Sequence, residues 1–163
     1  MMAILEVIKY PGQSLKTRAK NVDRITKEEA DQLNDMADTM YISHGVGLAA
    51  TQVGIDKQLA VIDIGQGLVK LVNPVITRRS GWETMEEGCL SAPGIQVKVR
   101  RSRKISVRAM NEKGSPVAFE AEGLFARAIQ HEVDHLRGKL IIDYLGPVKK
   151  FMALRRKKLP NAI

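Results

Sequence analysis

Residues 123–138 of this 163-residue chain read GLFARAIQHEVDHLRG, and the rest of the sequence can be interpreted outward from them. The apolar spacing predicts a helix over 123–137, and Gly138 is the residue type that most often ends one. His131 and His135 lie four positions apart, so in a helix both imidazoles face the same way, about one turn from each other. The spacing predicts that both bind one tetrahedral metal ion; the alternative is a helix that happens to carry two histidines.

The predicted helix has two neighbouring stripes of residues that face the protein interior. One stripe consists of Leu124, Ala128, His131 and His135, and the other of Phe125, Ile129, Glu132 and Leu136. The histidines continue an apolar face, so we expect them to be buried. Glu132 is expected inside the molecule as well, where an unpaired carboxylate is costly. We therefore expect Glu132 to exchange protons with a water that the metal activates.

The number of donor residues restricts the rest of the metal site. The chain has one cysteine and three histidines, which excludes an intrachain disulfide and a four-cysteine zinc module. A catalytic metal commonly takes three protein ligands, so Cys89 or His44 would complete the set. His44 follows a predicted helix and is expected at the surface. Cys89 as third ligand leaves one position open for water, but Cys89 as a buried core residue or as a Cys-His nucleophile are alternatives.

A carbonyl attacked by water becomes an oxyanion, which needs hydrogen-bond donors. Gln52 is the candidate side chain, because the small residues that precede it from Gly45 onward would let this segment press against a cleft. The backbone N–H of Leu90, next to Cys89, is a second candidate. Residues 45–52 could equally be a tight connection between a helix and a strand.

The remaining segments indicate an α+β fold with antiparallel strands packed around the central metal-binding helix, plus an N-terminal and a C-terminal helix. Thr26 and Glu29 form a capping-box pattern that opens a helix to about Ile42. Strands are predicted at 59–64, 68–72, 82–86, 95–99, 105–109 and 117–122, with turns at 65–67, Asn73-Pro74 and 111–114. A basic helix is predicted over about 147–158.

The net charge of +8 is concentrated in two clusters. The first contains Lys98, Arg100, Arg101, Arg103 and Lys104, and the second contains Lys149, Lys150, Arg155, Arg156, Lys157 and Lys158. The first is either a solvated face or a patch that attracts polyanions. The second alternates with Phe151, Met152 and Leu154, which favours a helix lying on RNA or an acidic surface, although Phe151 and Leu154 could instead pack back on the fold. We expect no sequence-specific DNA binding.

The length predicts one domain over residues 1–163. The N-terminus lacks the pattern of a signal peptide, and no apolar run is long enough to span a membrane. A reducing, cytoplasmic location is therefore expected.

Three segments together resemble the signature motifs of the peptide deformylase family, in the family's order and spacing. They are Gly45-Val46-Gly47-Leu48-Ala49-Ala50-Thr51-Gln52, Glu86-Glu87-Gly88-Cys89-Leu90-Ser91 and Gln130-His131-Glu132-Val133-Asp134-His135-Leu136. The resemblance extends over nearly the whole chain.

The resemblance implies an enzyme that removes the N-formyl group from the initiator methionine of new proteins and releases formate. It implies that Cys89, His131 and His135 hold the metal, typically Fe2+ in the cell, with Zn2+, Ni2+ or Co2+ as substitutes. Glu132 would move the proton, while Gln52 and the Leu90 amide would hold the formyl oxygen. The peptide would bind along Gly47 and the loop from Leu90, and its methionine side chain against Val46, Ile129 and Leu124.

The chain departs from many bacterial members at two positions. Gln96 stands where they have an arginine near the substrate, and His44 stands where they have an acidic residue. Glu87 and Arg101 do match a pair that resembles a buried ion pair supporting the metal loop.

Two other functions fit parts of the sequence. A zinc endopeptidase also uses two helical histidines and a glutamate, but its third ligand usually lies downstream, and no histidine follows His135. A basic ribosome- or RNA-binding module would explain the charge but not a buried Glu132 and Gln52.

Overall fold

A computed structural model describes residues 3–156 of the chain. Its helices are α1 (Lys27–Ile42), α2 (Gly123–Leu136) and α3 (Pro147–Arg156), with short 3-10 segments at Gln13–Lys16, Ala50–Val53 and Ile141–Tyr144. Its strands are β1 (Gly47–Ala49), β2 (Leu59–Ile62), β3 (Val69–Ser80), β4 (Glu83–Glu87), β5 (Val97–Arg101), β6 (Lys104–Met110) and β7 (Pro116–Glu122). No helix in this range is long and apolar enough to cross a membrane.

The larger sheet has five antiparallel strands in the order β1-β2-β3-β6-β7, and β4 and β5 form a separate antiparallel hairpin. The α+β prediction is confirmed. Helix α2 lies against the five-stranded sheet, where Ile129 and Val133 pack with Ile62, Ile105 and Val107.

Helix α1 covers the other part of the core. Its residues Leu33, Met36 and Met40 pack with Leu59 and Val61 of β2. Because alternate residues of β2 contact α1 and the α2 side, all four residues of the strand are buried. This explains why β2 reads as a continuous apolar run rather than an alternating one.

The β4–β5 hairpin has its own small core. Val97 and Val99 pack with Leu15 and with Leu140, Ile141 and Ile142, which follow α2. Leu154 of α3 also packs there, whereas Phe151 is 63% exposed. The alternative in which both residues pack back is therefore correct only for Leu154. Lys157 and Lys158 lie outside the described residues.

The predicted turn at Asn73-Pro74 is wrong, because β3 continues through it to Ser80. Asn73 has a φ of +51°, and the pairing of β3 with β6 shifts register between Val72 and Val75. Pro74, which has no N–H to donate, therefore lies in an irregularity of the strand. The Asn73 side chain bonds the backbone of Val22 through both its oxygen (2.9 Å) and its nitrogen (2.8 Å).

The first basic cluster is not one solvated face. Strand β5 alternates buried and exposed residues, so Arg100 is exposed while Arg101 is buried. Lys104 pairs with Glu120 at 2.6 Å. The cluster is thus divided between an internal ion-pair network and the surface.

The capping box of α1 is confirmed, and it supports a test of stability. Glu29 is buried and accepts hydrogen bonds from Lys57 Nζ (2.6 Å) and from the Thr26 backbone N–H (2.9 Å). The hydrogen bond with Lys57, followed by those with Thr26, lowers the pKa of Glu29 from 4.5 to about 2.

We expect Glu29→Gln to lower the free energy of unfolding at pH 7 by about 1 kcal/mol, because the charge that pairs with Lys57 is lost while the amide can still accept the Thr26 N–H. A lowered pKa stabilises the folded state above the unfolded value of 4.5, and this contribution disappears as the pH falls towards about 2. Denaturant unfolding of both proteins between pH 7 and pH 2 should show their difference shrinking over that interval. Asp31→Asn, which breaks only an exposed pair with Lys27, is the control; an equal effect from it would contradict the prediction.

Candidate active site

Three side chains that can act as metal ligands, Cys89, His131 and His135, meet between α2 and the loop that follows β4. Cys89 Sγ lies 3.2 Å from His135 Nε2, and His135 Nε2 lies 3.1 Å from His131 Nε2. The three ligand atoms all lie within 4.8 Å of one another. Among residues 3–156 this is the one group of three or more Cys, His, Asp or Glu that could hold a metal ion. His44 is not part of it and is exposed.

The helix and the hairpin explain this arrangement. The four-residue spacing puts both imidazoles on one side of α2, and Cys89 arrives from the end of β4, two residues after Glu87. Donor atoms on one tetrahedral zinc-sized ion are about 3.3 Å apart, so the observed separations fit such an ion. The residues present therefore suit a divalent metal with thiolate and imidazole ligands.

The electrostatics of the two histidines differ. Burial opposes a charge on His131, but hydrogen bonds with Cys89 and Glu87 outweigh it and raise the pKa of His131 to about 10. Burial, and then the neighbouring His131, lower the pKa of His135. His131 Nδ1 lies 3.0 Å from Glu87 Oε2 and therefore leaves Nε2 to face the other donors. Binding of a divalent ion to these groups would release a proton.

Glu132 lies beside the three donors and is 3% exposed. Its Oε2 atom is buried and has no hydrogen-bond partner among the described residues. Burial raises the pKa of Glu132 to about 7, which suits a group that both accepts and gives up a proton near neutral pH. Gly47 of β1 leaves room for this carboxylate, because a Cβ atom there would overlap Glu132 Oε1.

Gln52 is fully buried, and its amide is oriented by three neighbours. Its Oε1 accepts the Ala49 N–H at 2.9 Å, so Nε2 points the other way, towards Ser91 Oγ (3.2 Å) and Cys89 Sγ (3.7 Å). The sequence left open whether residues 45–52 form only a connection. They form a short edge strand and a 3-10 turn that carry Gln52 to the metal-binding group.

A cavity of about 680 Å³ opens onto these residues. Four of the predicted substrate-binding residues line it, namely Val46, Gly47, Leu90 and Leu124. His44 and Gln96 line it too. Leu124 is 50% exposed, so the apolar stripe of α2 is open to solvent at its first turn, and Val46, which precedes β1, is 50% exposed as well.

Ile129 does not line this cavity, and its prediction as a wall of the methionine pocket is wrong. Its side chain is fully buried in the core between α2 and the sheet. The preceding residue, Ala128, lines the cavity instead. Ile129 was implied by the family resemblance and lies one position, or about 100°, from Ala128, which the spacing had placed on the same stripe as the histidines.

The predicted Glu87–Arg101 pair is present and buried. Arg101 donates from Nε to Glu87 Oε1 at 2.6 Å and from Nη2 to Oε2 at 2.8 Å. Arg101 also donates to Asp134 Oδ2 (2.8 Å), which accepts a further hydrogen bond from Tyr144 Oη (2.6 Å). Burial opposes ionisation of Glu87, but the hydrogen bonds with His131 and Arg101 outweigh it and lower its pKa to about 2.

Arg127, which was not among the residues predicted from the sequence, is 4% exposed and lines the cavity. It donates to Glu87 Oε1 at 2.6 Å. Its position in the sequence could have indicated this, because Arg127 precedes His131 by four residues and so lies on the helix face that carries the histidines.

Comparisons with known proteins agree with this geometry. Residues 4–151 match the family model described as polypeptide deformylase. The peptide deformylase of Pelotomaculum thermopropionicum is 44% identical over 151 residues, which is 93% of this chain and 97% of that protein. The crystal structure of a peptide deformylase from Legionella pneumophila is 40% identical with a TM-score of 0.90, covering 97% of this chain and all of that one.

A second solved structure, peptide deformylase from Ehrlichia chaffeensis in complex with actinonin, has a TM-score of 0.93 at 30% identity and covers 96% of this chain and 97% of that one. The chain therefore belongs to the peptide deformylase family, whose activity is the metal-dependent removal of an N-formyl group.

Proposed function

We propose that this chain removes the N-formyl group from the N-terminal methionine of newly synthesised proteins, with the residues described above in specific roles. The observation that carries the proposal is Glu132, a buried carboxylate with one oxygen that has no hydrogen-bond partner among the described residues, in the same cavity as the metal-ligand candidates Cys89 and His131. In a protein without catalytic use for it, such a group would be a net cost. The family match gives no support to a zinc endopeptidase, whose third ligand would lie downstream.

In this proposal Cys89, His131 and His135 hold one divalent ion, Fe2+ in the cell, with Zn2+, Ni2+ or Co2+ as substitutes. When bound, the ion supplies Lewis-acid chemistry, activating a water and polarising the formyl oxygen. A thiolate ligand requires reducing conditions, which supports action in the cytoplasm.

Glu132 takes the proton of the attacking water as the new C–O bond forms at the formyl carbon. It then passes the proton to the methionine nitrogen as the C–N bond breaks, so that the free amine and formic acid leave, and the formic acid loses its remaining proton to become formate. Gln52 Nε2 and the Leu90 N–H donate to the oxygen that becomes negative. The Gln52–Ala49 hydrogen bond holds the amide in this orientation before substrate binds.

The substrate peptide binds as an added strand. Strand β1 lies at the edge of its sheet, so its outer backbone groups near Gly47 are available for pairing. Val46, Leu124 and Ala128 then surround the methionine side chain in the cavity. His44 and Gln96 line the same cavity and are the positions at which preference for the residues after methionine would differ from that of other family members.

Formate release from formyl-Met-Ala-Ser tests the function. We expect anaerobically prepared protein loaded with Fe2+ or Ni2+ to release formate, and a chelator to stop it. Glu132→Gln should lower kcat by about 10²–10⁴-fold, because it keeps the shape but cannot carry the proton. Its bound metal, measured by elemental analysis, should be unchanged.

Glu112→Gln, in the β6–β7 turn, is the control and should match the unmodified protein. Absence of formate from metal-loaded protein, or full activity of Glu132→Gln, would refute the proposed function.

Gly47→Ala tests the space reserved for Glu132. The added Cβ would overlap Glu132 Oε1 and displace the carboxylate. A displacement of about 1 Å costs on the order of 10²-fold in rate, so we expect kcat/KM to fall by that amount while bound metal is retained. Gly146→Ala, where a Cβ would meet nothing within 4 Å, is the matched control. Equal activity of the two variants would argue against a role for this close approach.

We also propose that residues 1–163 form one catalytic domain whose α3 helix docks on ribosomal RNA. Phe151 and Met152 of α3 are exposed, and Lys149, Arg155 and Arg156 are exposed cations nearby. An exposed helix with this composition suits a polyanionic surface. Lys150 has another partner, Asp143, at 2.6 Å and is expected to anchor the helix instead.

Replacing Lys149, Arg155 and Arg156 together by Gln should weaken binding to purified ribosomes and reduce the slope of log K against log salt by about 2–3. Sedimentation at several salt concentrations measures both quantities. The control is a triple variant that loses the same charge elsewhere, with Gln in place of Lys98, Arg108 and Lys113. Identical salt slopes for the two triple variants would exclude docking through α3.

A further inference from the structure

We propose that Arg127 is a positioning residue that holds the β4–β5 hairpin, and with it Cys89, at the separation from α2 that a shared metal ion requires. The inference rests on the proposed function in one respect, namely that Cys89, His131 and His135 hold the ion. Arg127 itself is not a ligand of the ion. It binds the two chain segments that supply the ligands, namely α2 and the β4–β5 hairpin.

The contacts of Arg127 bridge those two segments. The residue lies on α2, one turn before His131, and its guanidinium reaches across to the hairpin. Nη1 donates to Glu87 Oε1 (2.6 Å) and to the Val99 carbonyl (3.0 Å), and Nη2 donates to the Glu83 carbonyl (2.8 Å). One side chain of the helix thus binds both strands of the hairpin.

Glu87 connects this bridge to the metal-binding group. Its Oε2 atom lies 3.0 Å from His131 Nδ1, and Cys89 follows it by two residues. Arg101 also holds Glu87, but Arg101 belongs to β5 and so ties the hairpin to itself. Arg101 reaches α2 only through Asp134, which is at the far end of the helix and is less buried. Beside His131 itself, Arg127 is therefore a second residue of α2 that binds Glu87 directly, and it also binds the backbone of both hairpin strands.

The geometry of the guanidinium makes this role specific. Three acceptors in different directions are satisfied by one planar group with fixed N–H directions. Lysine has the same charge but presents it as a point and cannot hold all three acceptors together. Arg127→Lys thus separates the charge of Arg127 from its geometry, and Arg127→Met removes the charge while keeping an apolar stem against the cavity.

The test measures metal binding, with Co2+ as the probe. Co2+ is loaded into the unmodified protein, Arg127→Met, Arg127→Lys and the control Arg108→Met, in which an exposed arginine of β6 is replaced. The visible absorption spectrum reports the coordination geometry, and transfer to an excess of chelator gives the release rate. Both readouts are taken well below the melting temperature of each variant.

We expect Arg127→Met to release Co2+ about 10–100-fold faster than the unmodified protein and to show altered absorption bands, as is typical for loss of an outer-shell partner. Arg127→Lys should fall between the two, and Arg108→Met should match the unmodified protein. A purely structural role would lower the melting temperature but leave the spectrum and the release rate of the folded protein unchanged.

Release rates and spectra of both Arg127 variants within twofold of the control would overturn the proposal. Failure of both variants to fold would overturn it as well, because Arg127 would then act through stability. If only Arg127→Lys folds, its spectrum and release rate decide. The readouts involve no substrate, so loss of this proposal is distinguishable from failure of the protein to release formate.

Discussion

A buried carboxylate, Glu87, connects the two parts of the molecule that meet at the active site. Moving such a group out of water is unfavourable unless its oxygens are fully bonded to cations. Here Arg101, Arg127 and His131 together give four hydrogen bonds to its two oxygens. A two-stranded hairpin is only marginally stable alone, so this network and the small apolar core under it determine where the hairpin lies. Loss of one partner would leave fewer hydrogen bonds to offset the desolvation of the buried carboxylate and would therefore destabilise the position of the hairpin.

Local patterns in the sequence predicted the elements whose geometry is itself local. The four-residue spacing of His131 and His135 needs only the helical repeat, and the capping box needs only residues 26–29. The identity of the third donor depended on the small number of cysteines and on the resemblance of Cys89's surroundings to a family motif. The helix spacing and the cap are decided within a few residues, whereas the third ligand was inferred from the composition of the whole chain and the motif, and the structure brings the three ligand atoms together.

Features that depend on distant partners were not predictable in the same way. Asn73-Pro74 has the composition of a turn, but the backbone of Val22, fifty-one residues away, holds Asn73 in an irregular strand instead. Arg127 looks like a surface cation of a helix until the hairpin supplies its three acceptors. Ile129 and Ala128 differ by one position on α2, and only the packing of the helix against the sheet decides which of them faces the cavity.

The active site also depends on two carboxylates that are buried close together yet titrate far apart. The pKa of Glu87 is held at about 2 and that of Glu132 is raised to about 7. The difference follows from their partners, because cations saturate Glu87, whereas Glu132 faces Gly47 and the cavity and one of its oxygens has no hydrogen-bond partner in residues 3–156. The permanent negative charge of Glu87 orients His131, and the absence of such partners lets Glu132 change its charge near neutral pH. An arginine hydrogen-bonded to Glu132, like those on Glu87, would stabilise its anion and so remove its ability to return a proton.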